Sequence, residues 1–310
     1  MSAQAASSEI AWEERIARPD EEFLTHGPVH LEVTDVGRSL AFWRDLLGLA
    51  ELDRAGAEAR LGAGGRELVV LHAGAERGPL RGHTGLYHLA LHLPDEGEFA
   101  RVLARLMAAR YPQAPTDHIF SKATYLDDPD GIGLELTLET VERVSATEAR
   151  GGNVAIFDRE GRPRRPVEPL DVEEVLAQLG DRALDAPLPA ATRVGHVHLH
   201  VADLEAAWRF YRDLVGFEEH MFLLLGMADL SAGGRFPHRL ALNVWQGQGA
   251  LPPPPGTAGL RHFTLVARDR ARLEAIRGRL GAAGLAVRDS EDGFFAADPS
   301  GNRLELRAGA

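Results

Sequence analysis

Internal repetition is the strongest constraint on this chain. VHLEVTDVGRSLAFWRDLLGL (Val29–Leu49) returns 168 residues later as VHLHVADLEAAWRFYRDLVGF (Val197–Phe217). GLYHLAL (Gly85–Leu91) returns 174 residues later as GLRHFTL (Gly259–Leu265), and DPDGIGLEL (Asp128–Leu136) returns 170 residues later as DPSGNRLEL (Asp298–Leu306). Three blocks recurring in one order mark a duplicated domain. The expected organisation is an N-terminal domain over 25–140, a connector over 141–192 and a C-terminal domain over 193–308.

Each block reads as defined local structure. Alternation over His30–Thr34 predicts a strand. Asp35 then stands at a helix N-cap, followed by Val36, Leu40, Trp43 and Leu47 at helical spacing and Gly48 as the stop. Asp203, Leu204, Trp208, Tyr211, Val215 and Gly216 repeat the pattern. Strands are expected at Glu67–His72 and Arg239–Trp245. A second strand–helix pair follows in each copy, with His88–Leu93 leading to Phe99, Val102, Leu103 and Leu106. Its counterpart, His262–Val266, leads to Leu273, Ile276 and Leu280. Asp-Pro-x-Gly turns open a last strand ending in Leu-Glu-Leu. Each domain is thus β-α-β-β-β written twice, and the chain holds four such units. The proline-rich GRPRRPVEP (Gly161–Pro169) argues against a regular element in the connector, where Val172–Leu179 predicts one short helix. Pro252–Pro255 predicts a stiff extended link between the third and fourth units.

Composition narrows the partners. The 310 residues include 34 basic and 46 acidic side chains, a net charge of −12, which disfavours nucleic acid and anionic membranes. No cysteine is present, so disulfides, thiolate metal sites and cysteine nucleophiles are excluded. There is no long apolar run and no apolar stretch of a signal peptide, so a soluble cytoplasmic protein is expected.

The chemistry-bearing residues divide unevenly between the copies. Copy two offers His196, His262 and Glu305 on three strands, whereas copy one offers Pro28, His88 and Glu135. Two imidazoles and a carboxylate on one face of an octahedral ion leave three positions open, which suits non-haem iron(II). The metal site is therefore expected at His196, His262 and Glu305. His198 and His200 share a strand face with His196 and should point into the same cavity. Copy one also carries His92, His118 and Tyr125, the last standing ten residues before Glu135, and reads as a remnant site.

GHVHLHVADLEAAWRFYRDLVGF, GLRHFTLVARD and DPSGNRLEL, with their echoes in the first half, resemble the vicinal oxygen chelate superfamily. That superfamily contains glyoxalase I, extradiol dioxygenases and the fosfomycin- and bleomycin-resistance proteins. The resemblance implies an α+β fold: four βαβββ modules paired into two vicinal-oxygen-chelate domains, each a curved mixed sheet with helices outside. Four modules with a triad only in the second domain resemble the two-domain extradiol (catechol 2,3-) dioxygenases, in which the first domain holds no metal. By that resemblance His196, His262 and Glu305 would hold Fe(II), with Mn(II) as the other candidate. The substrates would be a small aromatic diol and O2. His238 matches the family's proton-transferring histidine, with His198 and His200 assisting, and Trp245, Phe295 and Asn243 would line the substrate pocket. Phe295 stands where many extradiol enzymes have tyrosine. Arg239–Trp245 holds no carboxylate, the residue that glyoxalase I usually supplies there as a fourth ligand. A homo-oligomer is implied by resemblance alone. The alternatives are a redox-neutral glyoxalase-like isomerase or lyase, and a non-catalytic drug-binding or resistance protein of the same fold.

Overall fold

A computed structural model describes residues 12–150, 153–223 and 226–309. After a short α1 (Trp12–Ile16), the first module consists of β1 (Leu24–Val33), α2 (Val36–Leu40), β2 (Ala50–Ala55), β3 (Glu58–Ala63) and β4 (Arg66–Ala73). The second consists of β5 (Gly85–Leu93), α3 (Glu96–Ala108), β6 (Ala114–Asp117), β7 (Ser121–Asp127) and β8 (Gly133–Glu139). The connector forms β9 (Val144–Arg150), β10 (Asn153–Asp158), β11 (Pro163–Arg164), β12 (Glu168–Pro169) and α4 (Val172–Leu176). The third module is β13 (Arg193–His200), α5 (Leu204–Arg209), β14 (Glu218–Leu223), β15 (Met227–Ser231) and β16 (Leu240–Asn243). The fourth is β17 (Gly259–Ala267), α6 (Arg270–Ala282), β18 (Arg288–Asp289), β19 (Gly293–Ala297) and β20 (Arg303–Ala308).

The helix starts follow from local chemistry. Asp35, Asp95, Asp203 and Asp269 each turn a carboxylate onto the backbone N–H three residues on, satisfying an otherwise orphaned donor. The stretch expected as one α-helix after Asp35 widens into a π-helical turn over Ala41–Leu46, and its counterpart does so over Phe210–Val215. The wide turn seats Trp43 and Tyr211 fully inside the core. Gly216, in the left-handed region at φ 97°, ends the second of these helices.

The strands assemble differently from the linear order of the repeats. One sheet runs β18-β19-β20-β17-β1-β4-β3-β2, and the other runs β12-β6-β7-β8-β5-β13-β16-β15-β14. The first therefore joins modules one and four, the second modules two and three. The seams are the antiparallel pairs β1–β17 and β5–β13. This corrects the expectation that each repeat closes its own domain. Helix contacts hold a repeat together instead: Arg105 of α3 donates to the Leu47 carbonyl at 2.7 Å, and Arg279 of α6 donates to that of Leu214 at 2.8 Å. Phe42 packs on Tyr111 in the same junction.

The alternation along β13 explains where the core and the site lie. Val197 and Leu199 are wholly buried with the core, while His196, His198 and His200 occupy the other face, also buried. The connector is more regular than expected. β9, β10 and β11 form a small sheet of their own, and β12 extends the second large sheet beside β6. No helix among the described residues is long and apolar enough to cross a membrane.

Candidate metal centre

The seam between modules two and three brings three donors together. His196 lies opposite Ala90 on β5, and Ala90 lies beside Glu135 on β8, so the small alanine lets the flanking side chains meet above it. His88 comes from β5 itself. His196 Nε2 stands 3.0 Å from Glu135 Oε2, His88 Nε2 stands 3.1 Å from that oxygen, and the two nitrogens are 3.1 Å apart. Cis donors of an octahedral ion at about 2.1 Å stand about 3.0 Å apart, so these atoms match one triangular face of such a shell. All three residues are buried.

A hydrogen-bonded chain behind His196 fixes its tautomer. Glu139 accepts from His92 Nδ1–H at 2.8 Å, which leaves His92 Nε2 as the acceptor for His196 Nδ1–H at 2.9 Å. Burial pushes the His92 pKa down to about 4 and that of His196 well below its ordinary value, so both rings are neutral. His196 Nε2 then carries a bare lone pair aimed at a carboxylate oxygen. Burial opposes ionisation of Glu135, yet its carboxyl lies well below the usual range and it stands as an anion beside the two rings. Two lone pairs facing each other at this distance repel unless a cation lies between them, so the donor set fits a divalent metal. Glu139 is itself held by Arg193 and Arg239, which also pair with Glu22. Gly195 makes the arrangement possible, because a Cβ there would meet His92 Cδ2 at 1.9 Å.

The donors open on a cavity of about 360 Å³ whose lining includes Tyr87, Tyr125, His198, Asp229, His238 and Trp245. His238 Nδ1 lies 3.0 Å from Asp229. Burial works against its protonation, but the Asp229 charge outweighs this and raises the His238 pKa. Burial, reinforced by Glu135, raises the Tyr125 phenol well above its ordinary value. Tyr125 donates its hydroxyl proton to His118 Nε2 at 2.8 Å, while His118 Nδ1 donates to the Pro166 carbonyl. Asn243 donates to His198 Nε2 at 2.8 Å and accepts from His200 Nδ1 at 2.6 Å.

Of the residues expected at the metal, the structure brings His196 to this cup and leaves His262 and Glu305 in the other sheet. His262 stacks on His30 with ring centroids 3.9 Å apart, and Glu305 pairs with Arg307. They occupy in module four the places that His88 and Glu135 occupy in module two, and Pro28 of module one supplies no third donor. Phe295 packs edge-on against His262, 5.1 Å away, so it belongs to that second cup. His198, His238 and Trp245 do line the cavity. His200 and Asn243 do not; Asn243 is a buried splint between two histidines. His88 and Glu135, read as a remnant, are the partners of His196, and Tyr125 stands beside Glu135 in register. Asp229 gave no local signal, whereas His92 was read with the remnant site. Tyr125, ten residues before Glu135, did point to this half.

The comparisons agree with the architecture. The model of the Glyoxalase/Bleomycin resistance protein/Dioxygenase superfamily matches residues 27–136 and 193–306. A catechol-2,3-dioxygenase of Bacillus subtilis (strain 168) is 35% identical over 281 residues, 89% of this chain and 94% of that protein. A Bacillus subtilis subsp. subtilis str. 168 structure provisionally described as a dioxygenase superposes with a TM-score of 0.61 at 13% identity, covering 94% of this chain and 86% of that one. Glyoxalase I from Zea mays gives 0.54 at 16% identity, covering 92% of each chain. The two structures bear on the fold alone. With both repeats matched, the chain belongs to the glyoxalase/bleomycin resistance protein/dioxygenase superfamily.

Proposed function

We propose that this protein is an extradiol ring-cleaving dioxygenase that opens a catechol-like diol with O2, using a divalent metal held by His88, His196 and Glu135. The observation that carries this reading is the trio of donor atoms 3.0–3.1 Å apart on the wall of a cavity large enough for an aromatic ligand. The identity of the Bacillus catechol-2,3-dioxygenase over most of both chains supports it. A metal bound there, iron(II) or manganese(II), supplies electron exchange between a chelated diol and dioxygen.

The chain's own groups then have distinct tasks. His238, with its pKa raised by Asp229, is the proton acceptor for a diol hydroxyl and later returns the proton. His198, aligned by Asn243, offers a neutral imidazole to the same space. Tyr125 keeps its proton and presents a hydroxyl beside Glu135. Tyr87 and Trp245 stand edge to face at 5.2 Å near the mouth, where an aromatic ring can pack on them.

The test is anaerobic loading with Fe(II) or Mn(II), followed by catechol turnover with and without O2. Oxygen-dependent formation of a yellow ring-opened product, lost in His88→Ala and Glu135→Ala and retained in His262→Ala and Glu305→Ala, is the expected outcome. Turnover that persists without O2, or loss of metal only in the second pair of variants, overturns it.

A further inference from the structure

We infer that the cavity selects diols bearing an uncharged, apolar substituent and rejects those bearing a carboxylate. This inference rests on the ring-cleaving reading above and adds the class of substrate to it. At about 360 Å³ the space lies in the range of sites for sizeable ligands, beyond what a bare benzenediol needs. Much of the remaining lining is apolar, and half of it comes from the connector rather than from the modules that hold the donors. Val154 and Ile156 project from β10, Val167 from the segment before β12, Phe120 from the β6–β7 turn, and Met221 and Met227 from β14 and β15. The connector therefore shares in enclosing the cavity on which the donors open, and two methionines supply adaptable surface within it. Val167 is 63% exposed and Trp245 51% exposed, large apolar surfaces at the rim that a nonpolar substituent would cover.

Charge points the same way. Among the described lining residues there is no lysine or arginine, while Glu135 and Asp229 are both present. Nearby cations are already committed. Lys122 pairs with Glu96 and Glu174, Arg143 with Asp117, and Arg164 with Glu168. His118 is held with its Nδ1–H on a carbonyl and its Nε2 accepting from Tyr125. His238 is already paired with Asp229. With the metal held by Glu135, a carboxylate carried in on the substrate would be buried with no cationic side chain to pair with, beside Asp229.

The test uses the full-length, metal-loaded protein with 3-phenylcatechol, 4-methylcatechol and 3,4-dihydroxyphenylacetate. Cleavage kinetics are measured alongside anaerobic binding followed by tryptophan fluorescence. The two apolar diols should exceed the acid by about 100-fold or more in kcat/KM and in affinity. Val167→Arg, at an exposed position that should not disturb folding, should narrow that ratio by at least about tenfold. Comparable affinity and turnover for the acid, or a ratio unmoved by Val167→Arg, overturns the inference while leaving ring cleavage standing. Selective binding of the apolar diols without cleavage of any diol upholds the inference and removes the ring-cleaving reading instead.

Discussion

Replacing Gly195 by alanine should uncouple the ligand chain without touching a ligand. A Cβ at this position meets the His92 ring at 1.9, 2.0 and 2.2 Å, where ordinary contacts begin at about 3.4 Å. The ring must retreat by more than an ångström, and the 2.9 Å bond from His196 Nδ1 to His92 Nε2 cannot survive that shift. His196 then loses the partner that fixes its tautomer and its ring orientation. Loss of such a supporting bond costs roughly 10- to 100-fold in metal affinity, about 1.4–2.7 kcal/mol. The overpacking adds about 1–3 kcal/mol of lost stability. Mn(II) binding to the apo-protein, followed by the free-ion EPR signal, measures the first quantity, and calorimetric unfolding of the same sample measures the second. His92→Gln should reproduce most of the affinity loss without the steric penalty. If Gly195→Ala and His92→Gln both bind Mn(II) as tightly as the parent protein, the chain from Glu139 does not support a metal ligand, and the assignment of His196 fails with it.

Further predictions concern pH, catalysis and folding. Burial depresses the His26 pKa from 6.5 to about 4, while its Nε2–H is held on the Arg239 carbonyl. Its contribution is therefore present above pH 6.5 and lost as pH falls through about 4. The loss should be about 2 kcal/mol, allowing for partial contact with water, and calorimetry should find it diminished in His26→Gln. Asp229→Asn removes the charge that raises the His238 pKa, so the acidic limb of kcat/KM should move to lower pH; an unmoved limb removes His238 as the base. Asp203→Ala deletes the N-cap bond to Ala206 and should cost about 1 kcal/mol in urea unfolding, with metal affinity unchanged.

The modules were legible because their signals are local. Strand alternation, aspartate caps and Asp-Pro-x-Gly turns act over a few residues, and the first helix of each module starts at the aspartate that caps it. Pairing between modules is a different kind of fact. Four similar units can close as one-two and three-four, or as one-four and two-three, with nearly the same alternation along every strand. The linear order favours the first solution, and the structure adopts the second. The two cups also differ in side-chain fit, with Ala90 where the other has Thr264, and His92 beside Gly195 where the other has Val266 beside Gly27. Linear order joins His196 to His262 and Glu305, which the structure leaves in the other sheet, and His196 stands with His88 and Glu135 instead. The connector's role was missed because its short strands, at Pro163–Arg164 and Glu168–Pro169, are set by tertiary neighbours rather than by pattern.

A seam shared by two distant stretches also changes how such a protein must be made. His88 and Glu135 emerge from the ribosome well before His196, and until β13 lies against β5 there is no pocket to fill. Metal capture by this trio would therefore wait for the third module, and neither repeat expressed alone should capture the ion. Two fragments cut within the connector and mixed should regain it together.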